Sequence, residues 1–168
     1  MCSSDLCGSN RDITMSDTAP APSLFEARAA LSGLEFFRKI AAGELPPPAM
    51  VALLGLKLVD VSEGRIVFSA IADERFYNGL GVAHGGWAAT LLDSALGCAI
   101  NTTQPAGRVF TTLELKVNYT RPITAAVGEV RCEGTVLHVG SRTATADARI
   151  VDGGGKLYAH ATTTCIVV

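Results

Sequence analysis

The stretch from Gly85 to Asn101 constrains this chain more than any other. Trp87, Ala88, Leu91, Leu92, Ala95, Leu96 and Ala99 spread apolar side chains over much of a helical circumference. A helix apolar nearly all round has to be enclosed, because it has no face to turn to water. The fold is therefore expected to be built around it. The run does not read as a membrane span, which needs about 20 apolar residues in sequence. Asp93 interrupts it, and Lys57 interrupts the other long apolar stretch, Ala49 to Val61.

The material to enclose this helix follows it. Glu129 to Val139 alternates Glu129, Arg131, Glu133 and Thr135 with Val130, Cys132 and Val136. Arg142 to Val151 sets Thr143, Thr145, Asp147 and Arg149 against Ala144, Ala146, Ala148 and Ile150. Such period-2 alternation means antiparallel strands with one wet and one dry face. Val109 to Tyr119 and Leu157 to Val167 read as two more strands. Gly140-Ser141 and Asp152-Gly153-Gly154-Gly155 read as hairpin turns. Ahead of the helix, Leu56 to Val61 and Arg65 to Ile71 form a strand pair across Ser62-Glu63-Gly64. The expectation is an α+β domain: two strands, one buried helix, then a four-strand meander.

The N-terminal part is predicted as one helix over Leu24 to Ala42, ended by Gly43 and Pro46-Pro47-Pro48, then a short helix over Ala49 to Leu54. Residues 1–23 read as an unstructured leader without an apolar signal core, and residues 1–14 as a start-site or assembly artefact. The domain is thus expected over residues 24–168. With 48% hydrophobic and 18% charged residues, the chain has ample material for one core and is not disordered throughout. A net charge of -2 gives no pull toward nucleic acid or an anionic membrane. Five cysteines without a C-x-x-C spacing indicate neither a disulfide framework nor a zinc site, and point to a reducing, cytoplasmic compartment.

The chemistry is carried by Asn78-Gly79-Leu80-Gly81-Val82-Ala83-His84-Gly85-Gly86-Trp87 and by Asp93. The first amides of a helix are unpaired and sit at the positive end of its dipole. Two glycines there let another group approach the backbone. Together these form a donor site for a carbonyl oxygen that gains negative charge. The bland reading is a tight loop-to-helix join. Asp93 weighs against it, because a carboxylate in an apolar helix is costly to bury unless it is paired or used; the bland reading of Asp93 itself is a structural carboxylate hydrogen-bonded to backbone or Thr. Gly85 and Asp93 are eight residues apart, about 12 Å along a helix. One carbonyl cannot touch both, so a site using both takes them from two copies of the chain.

Asn78, His84-Gly85-Gly86 and Asp93, followed by Thr112-Leu113-Glu114-Leu115-Lys116-Val117-Asn118-Tyr119-Thr120-Arg121-Pro122, resemble the hotdog-fold acyl-CoA thioesterases, in particular their phenylacetate-degradation (PaaI-like) branch. The resemblance runs from about Ser32 to Val168 and includes Ser32-Gly33-Leu34-Glu35-Phe36-Phe37 and Gly43-Glu44-Leu45-Pro46-Pro47-Pro48. It implies a hotdog fold: a curved antiparallel sheet of about six strands wrapped on a long helix, with N-terminal helices. It also implies pairing into a homodimer, with a homotetramer expected beyond it. The implied reaction is hydrolysis of aryl or medium-chain acyl-CoA to the free acid and CoA. Asp93 would be general base or nucleophile, and Gly85 the oxyanion amide. Asn78 and His84 would position substrate or the catalytic loop, and Thr112, rather than Thr111 on the opposite strand face, would help place the water. Asn78, His84 and Gly85 would come from one protomer, Asp93 and Thr112 from the other. No cofactor is implied beyond the CoA of the substrate. The alternative is a non-catalytic acyl-CoA-binding or sensing module on the same fold; a hydratase of this fold usually carries a differently placed His and carboxylate.

Around this set, Gly86 and Tyr77 are candidates to contact substrate, Tyr77 either lining an acyl pocket or plugging the loop. Arg142 is either a partner for a CoA phosphate or a solvated turn cation. His84 has no second ligand at helical or hairpin spacing, so no metal site is expected. Cys98, Cys132 and Cys165 read as core thiols rather than nucleophiles.

Overall fold

A computed structural model describes residues 23–108 and 110–167. The leader expected over 1–23 lies outside the described residues except for Ser23. Three short helices come first: α1 (Leu24–Ala30), α2 (Gly33–Ala41) and α3 (Ala49–Leu53). Strands β1 (Lys57–Ser62) and β2 (Arg65–Ile71) follow, then the long helix α4 (Gly85–Thr102). Four strands complete the chain: β3 (Phe110–Tyr119), β4 (Glu129–Val139), β5 (Thr143–Asp152) and β6 (Leu157–Val167).

The single helix expected over Leu24 to Ala42 is two. The break at Leu31-Ser32 comes from a second start signal. The Ser32 hydroxyl accepts from the Glu35 amide at 3.3 Å, and the Glu35 carboxylate accepts from the Ser32 amide at 3.0 Å. The same reciprocal cap joins Ser23 and Glu26 at the start of α1. Gly33 then packs against the end of α4 so closely that an added Cβ would lie 1.7 Å from the Asn101 carbonyl oxygen.

All six strands form one antiparallel sheet in the order β1-β2-β4-β5-β6-β3. The expected meander therefore holds for β4, β5 and β6 only. β3 is not beside β4; it pairs with β6, from Phe110 opposite Val167 to Tyr119 opposite Ala159. The cause is α4. It joins β2 to β3 across one face of the sheet, so the chain re-enters the sheet on the far edge. β4 then takes the vacant place beside β2.

α4 lies against the inner face. Leu91, Leu92, Ala95, Leu96, Ala99 and Ile100 are completely buried. The sheet meets them with small side chains: Ala144, Ala146 and Ala148 on β5, Ala159 and Ala161 on β6. On β4 the contact is closer still. A Cβ on Gly134 would lie 2.4 Å from the Ala95 carbonyl oxygen and 3.1 Å from the Leu96 nitrogen. Among the described residues no helix is long and apolar enough to cross a membrane.

Among the described residues Cys132 and Cys165 are buried in this interior and Cys98 is half-buried against it. Burial pushes the Cys98 thiol up to about 12, with the negative charge of Asp93 adding to the effect. Burial likewise raises Cys132, and Cys165 more mildly. None is an activated nucleophile.

Two measurements check this packing. Gly134→Ala forces a methyl into helix backbone and is expected to lower unfolding free energy by about 3 kcal/mol in urea titration. Gly153→Ala, where an added Cβ meets nothing within 4 Å, should stay within about 0.5 kcal/mol. The second concerns pH. The unfolded chain releases thiol protons near 9.0 while folded Cys98 holds its own to about 12. Above pH 9 the unfolded state thus binds fewer protons, and stability falls as pH rises through that window. Denaturation midpoints measured from about pH 8 to about pH 11 should decline, and less steeply in Cys98→Ala.

Candidate active site

The loop before α4 is held by its own backbone. The Asn78 amide donates to the Val82 carbonyl at 2.8 Å, and the Gly81 amide donates to the Asn78 carbonyl at 3.0 Å. Gly81 has φ +74, a conformation that L side chains seldom adopt. The Asn78 Oδ1 accepts from the Leu80 amide at 2.9 Å, so its side-chain NH2 is the end left for other partners. Ala83 donates to the Ile123 carbonyl and His84 to the Phe76 carbonyl, each at 2.8 Å. These two bonds anchor the loop on both sides where the helix begins.

His84 is the N-cap of α4. Its Nδ1 accepts from the Gly86 amide at 2.9 Å, which puts the proton of the neutral ring on Nε2. Its carbonyl accepts from Trp87 at 2.9 Å. A helix start leaves four amides without intrahelical partners. Here three are satisfied: His84 by Phe76, Gly86 by the His84 ring and Trp87 by the His84 carbonyl. The fourth, Gly85, makes no hydrogen bond among the described residues. It is the open donor at the positive end of the dipole. A side chain at Gly86 would crowd the cap, since a Cβ there would lie 3.0 Å from the His84 Nδ1.

A cavity of about 370 Å³ opens at this point, bounded by Asn78, Gly85, Ala88, Tyr119, Ile123 and Tyr158. Tyr119, at the end of β3, donates its hydroxyl to the Gly85 carbonyl at 2.9 Å. The sequence reading passed over this residue. Its signal was its place beside Thr120-Arg121-Pro122, where the strand ends and the last side chain can fold back over the helix start.

Two turns along α4 lies the second group. Asp93 is half-buried, and its Oδ1 accepts from the Thr112 hydroxyl at 3.1 Å. Thr112 faces the helix, while Thr111 is exposed on the other side of β3. The Cys165 thiol lies 3.9 Å behind the Thr112 hydroxyl, a contact that strand parity alone did not reveal. A shift of register between Thr112 and Glu114 bends β3 here. Asp93 does not border the cavity at Gly85. The two lie on one helix, Gly85–Thr102, about 12 Å apart along its axis.

The remaining candidates lie apart. The Tyr77 hydroxyl accepts from the Ala125 amide, and Tyr77 is not among the residues around the Gly85 cavity. It ties the loop to the turn before β4, which favours the plug over the pocket wall. Arg142 is exposed in the β4–β5 turn, with its carbonyl accepting from Val167 at 2.7 Å. One chain therefore brings together Asn78, His84, Gly85 and Gly86 in one group and Asp93 with Thr112 in another. Arg142 borders neither the Gly85 cavity nor the Asp93–Thr112 pair. Among the described residues no three His, Cys, Asp or Glu side chains stand close enough to hold a metal ion.

Comparison with known proteins gives this geometry a family. The profile of the thioesterase superfamily matches residues 80–159, from the loop before α4 into β6. A Halobacterium salinarum protein provisionally named an esterase is 33% identical over 107 residues, 61% of this chain and 69% of that protein. Among solved structures, a conserved protein of Pseudomonas aeruginosa is 33% identical, covers 73% of this chain and 95% of its own, and superposes with a TM-score of 0.68. A mutant form of the phenylacetic acid degradation protein PaaI from Thermus thermophilus is 31% identical over 71% of this chain and 98% of its own, with a TM-score of 0.64. A six-stranded antiparallel sheet around one long helix, these identities and the matched span together make the chain a hotdog-fold member of the thioesterase superfamily.

Proposed function

We propose that the protein hydrolyses acyl-CoA thioesters, with aryl or medium-chain acyl groups, at two sites each shared between two copies of the chain in a reducing cytoplasm. Family membership supports thioester hydrolysis. The observation that carries the finer reading is the Gly85 amide: of the four donors at the start of α4, it is the one without a partner among the described residues, and Gly85 borders a cavity.

The chemistry follows from charge. A thioester carbonyl oxygen becomes negative when its carbon is attacked. The Gly85 N–H and the helix dipole stabilise that charge without reorganising. Asp93 takes a proton from water as the water oxygen bonds to the carbonyl carbon. The tetrahedral intermediate then collapses, the C–S bond breaks, and the CoA thiolate recovers a proton from the Asp93 carboxyl. The Thr112 bond on Oδ1 fixes the carboxylate and leaves its other oxygen for the water. The same carboxylate, attacking the carbon directly, gives an anhydride that water then opens. Single turnover in ¹⁸O-water that labels Asp93 marks the second route, with water opening the anhydride at the Asp93 carbonyl rather than at the acyl carbon. The Asn78 NH2 and the His84 Nε2–H are the donors free to orient the acyl group, and Arg142 is the cation offered to a CoA phosphate.

The need for two copies comes from distance and from the sheet edge. β3 pairs with β6 on one side and has no partner on the other among the described residues. Two such edges paired antiparallel across a two-fold axis set opposite ends of the strand together. The Tyr119 end, with Gly85, then approaches the Thr112 end of the second copy, where its carboxylate waits.

Free-thiol release from a panel of acyl-CoA substrates tests the reading. Asp93→Asn should lower turnover by about 10³-fold. Stoichiometric binding of acyl-CoA by the wild-type chain without turnover would replace the enzyme by a binding module. A second test addresses the sharing. Gly85→Pro removes the amide at the first helical position and also presses on the Tyr119 ring, 3.2 Å from an added Cβ; together these should cost at least about 10²-fold. Dissociated and re-mixed Asp93→Asn and Gly85→Pro chains should regain about a quarter of wild-type activity, because half the dimers are mixed and each has one intact site. No recovery on mixing would sink the shared site.

A further inference from the structure

We infer that Tyr119 is a positioning residue for the oxyanion donor: its hydroxyl, bound to the Gly85 carbonyl, fixes the first residue of α4 so that the Gly85 amide keeps its aim. The inference rests on the thioesterase reading above and adds a residue to it.

The first turn of a helix is the part most prone to fray, and Gly85 is poorly restrained. Its neighbours are glycine and the cap residue, its amide is open, and it has no side chain to pack. Oxyanion stabilisation demands the reverse, because donors have to be held within about 0.5 Å of the position the charged oxygen will take. Tyr119 adds a restraint from outside the helix to the intrahelical bond that the first helical residue makes. Its Oη donates to the Gly85 carbonyl at 2.9 Å. Its ring also lies against the Gly85 Cα, where an added Cβ would meet Cζ and Oη at 3.2 Å each.

Tyr119 is itself held. Directly after it, the Thr120 and Arg121 amides donate to the Tyr158 carbonyl at 2.8 and 3.2 Å. The Thr120 hydroxyl and the Arg121 guanidinium both donate to the Leu157 carbonyl, at 3.0 and 2.6 Å. The end of β3 is thereby locked to β6, and the phenol extends from a rigid base. Tyr119 is nevertheless 55% exposed and lines the cavity rather than the core. An exposed tyrosine contributes little to packing, so its tether serves the helix start rather than the stability of the fold.

The test is Tyr119→Phe in the full chain, which keeps the ring and removes the one hydrogen bond. Expected is a loss of roughly 5- to 20-fold in kcat on the best acyl-CoA substrate, with KM within about two-fold and the oligomeric state and Tm unchanged. Binding of a CoA trifluoromethyl ketone, whose hydrate places a tetrahedral oxygen at the donor, should weaken about as much as kcat falls. Binding of the corresponding thioether, which lacks that oxygen, should hold within about two-fold. An unchanged kcat and unchanged ketone affinity would overturn the role, as would equal weakening of ketone and thioether, which marks a general loss of structure. Amide hydrogen exchange at residues 85–88 reads the tether without any substrate: it should quicken in Tyr119→Phe while exchange in the rest of α4 holds. Unaltered exchange counts against the tether. A wild-type chain that cleaves no acyl-CoA overturns the thioesterase reading instead, and the exchange result still decides the tether.

Discussion

The close approach of α4 to the sheet sets the geometry of everything around it. Gly134 leaves room for the Ala95 carbonyl to rest on β4, and the alanines of β5 and β6 keep the rest of that face shallow. The bulk is supplied by the helix instead, through Leu91, Leu92, Leu96 and Ile100, all fully buried. Each such side chain contributes about 1.5–3 kcal/mol on burial. A helix gripped in this way over its middle has a fixed axis, and so a fixed dipole. Its open end becomes a reproducible place to put charge.

What happens at that end follows from the choice of cap. An N-cap side chain satisfies one early amide, and the cap carbonyl takes another. At His84 the ring takes Gly86, the carbonyl takes Trp87, and the cap's own amide donates to the Phe76 carbonyl. The donor that remains is a glycine amide, with no side chain in front of it. In the proposed mechanism Asp93 does not share this role, because a carboxylate near the dipole's positive end would neutralise the donor. Placing it two turns on, with Thr112 on one oxygen, keeps the two charges apart in one chain.

Much of this was legible beforehand. The long helix, six strands within a residue or two of their ends, and both chemical groups could be read from apolar periodicity, strict alternation and the His-Gly-Gly join. Three features could not, and each has a physical reason. The break at Ser32 was hidden because apolar spacing continues through it; the signal lay in Ser32 and Glu35, a cap repeated from Ser23 and Glu26. The place of β3 was hidden because strand order is not written in alternation. Sequential strands usually neighbour one another, and only the crossing of the sheet by α4 moves β3 to the far edge. Tyr119 escaped for a related reason: its partner is a backbone carbonyl 34 residues away, with no side-chain pattern to announce it.

That displacement of β3 joins the fold to the chemistry. The strand carries a contact to each half of the site, Thr112 to Asp93 near one end and Tyr119 to Gly85 at the other. It is also ten residues long, with Leu113 58% and Tyr119 55% exposed. A long open edge of that kind is a liability in an isolated sheet, since its unpaired amides and carbonyls invite another strand. Leaving β3 last in the sheet would serve a single chain badly. In the two-chain arrangement proposed above it would be an advantage, because one act of edge pairing would satisfy the backbone and cover a half-exposed carboxylate. The same pairing would set each open amide near an acid it cannot reach along its own helix.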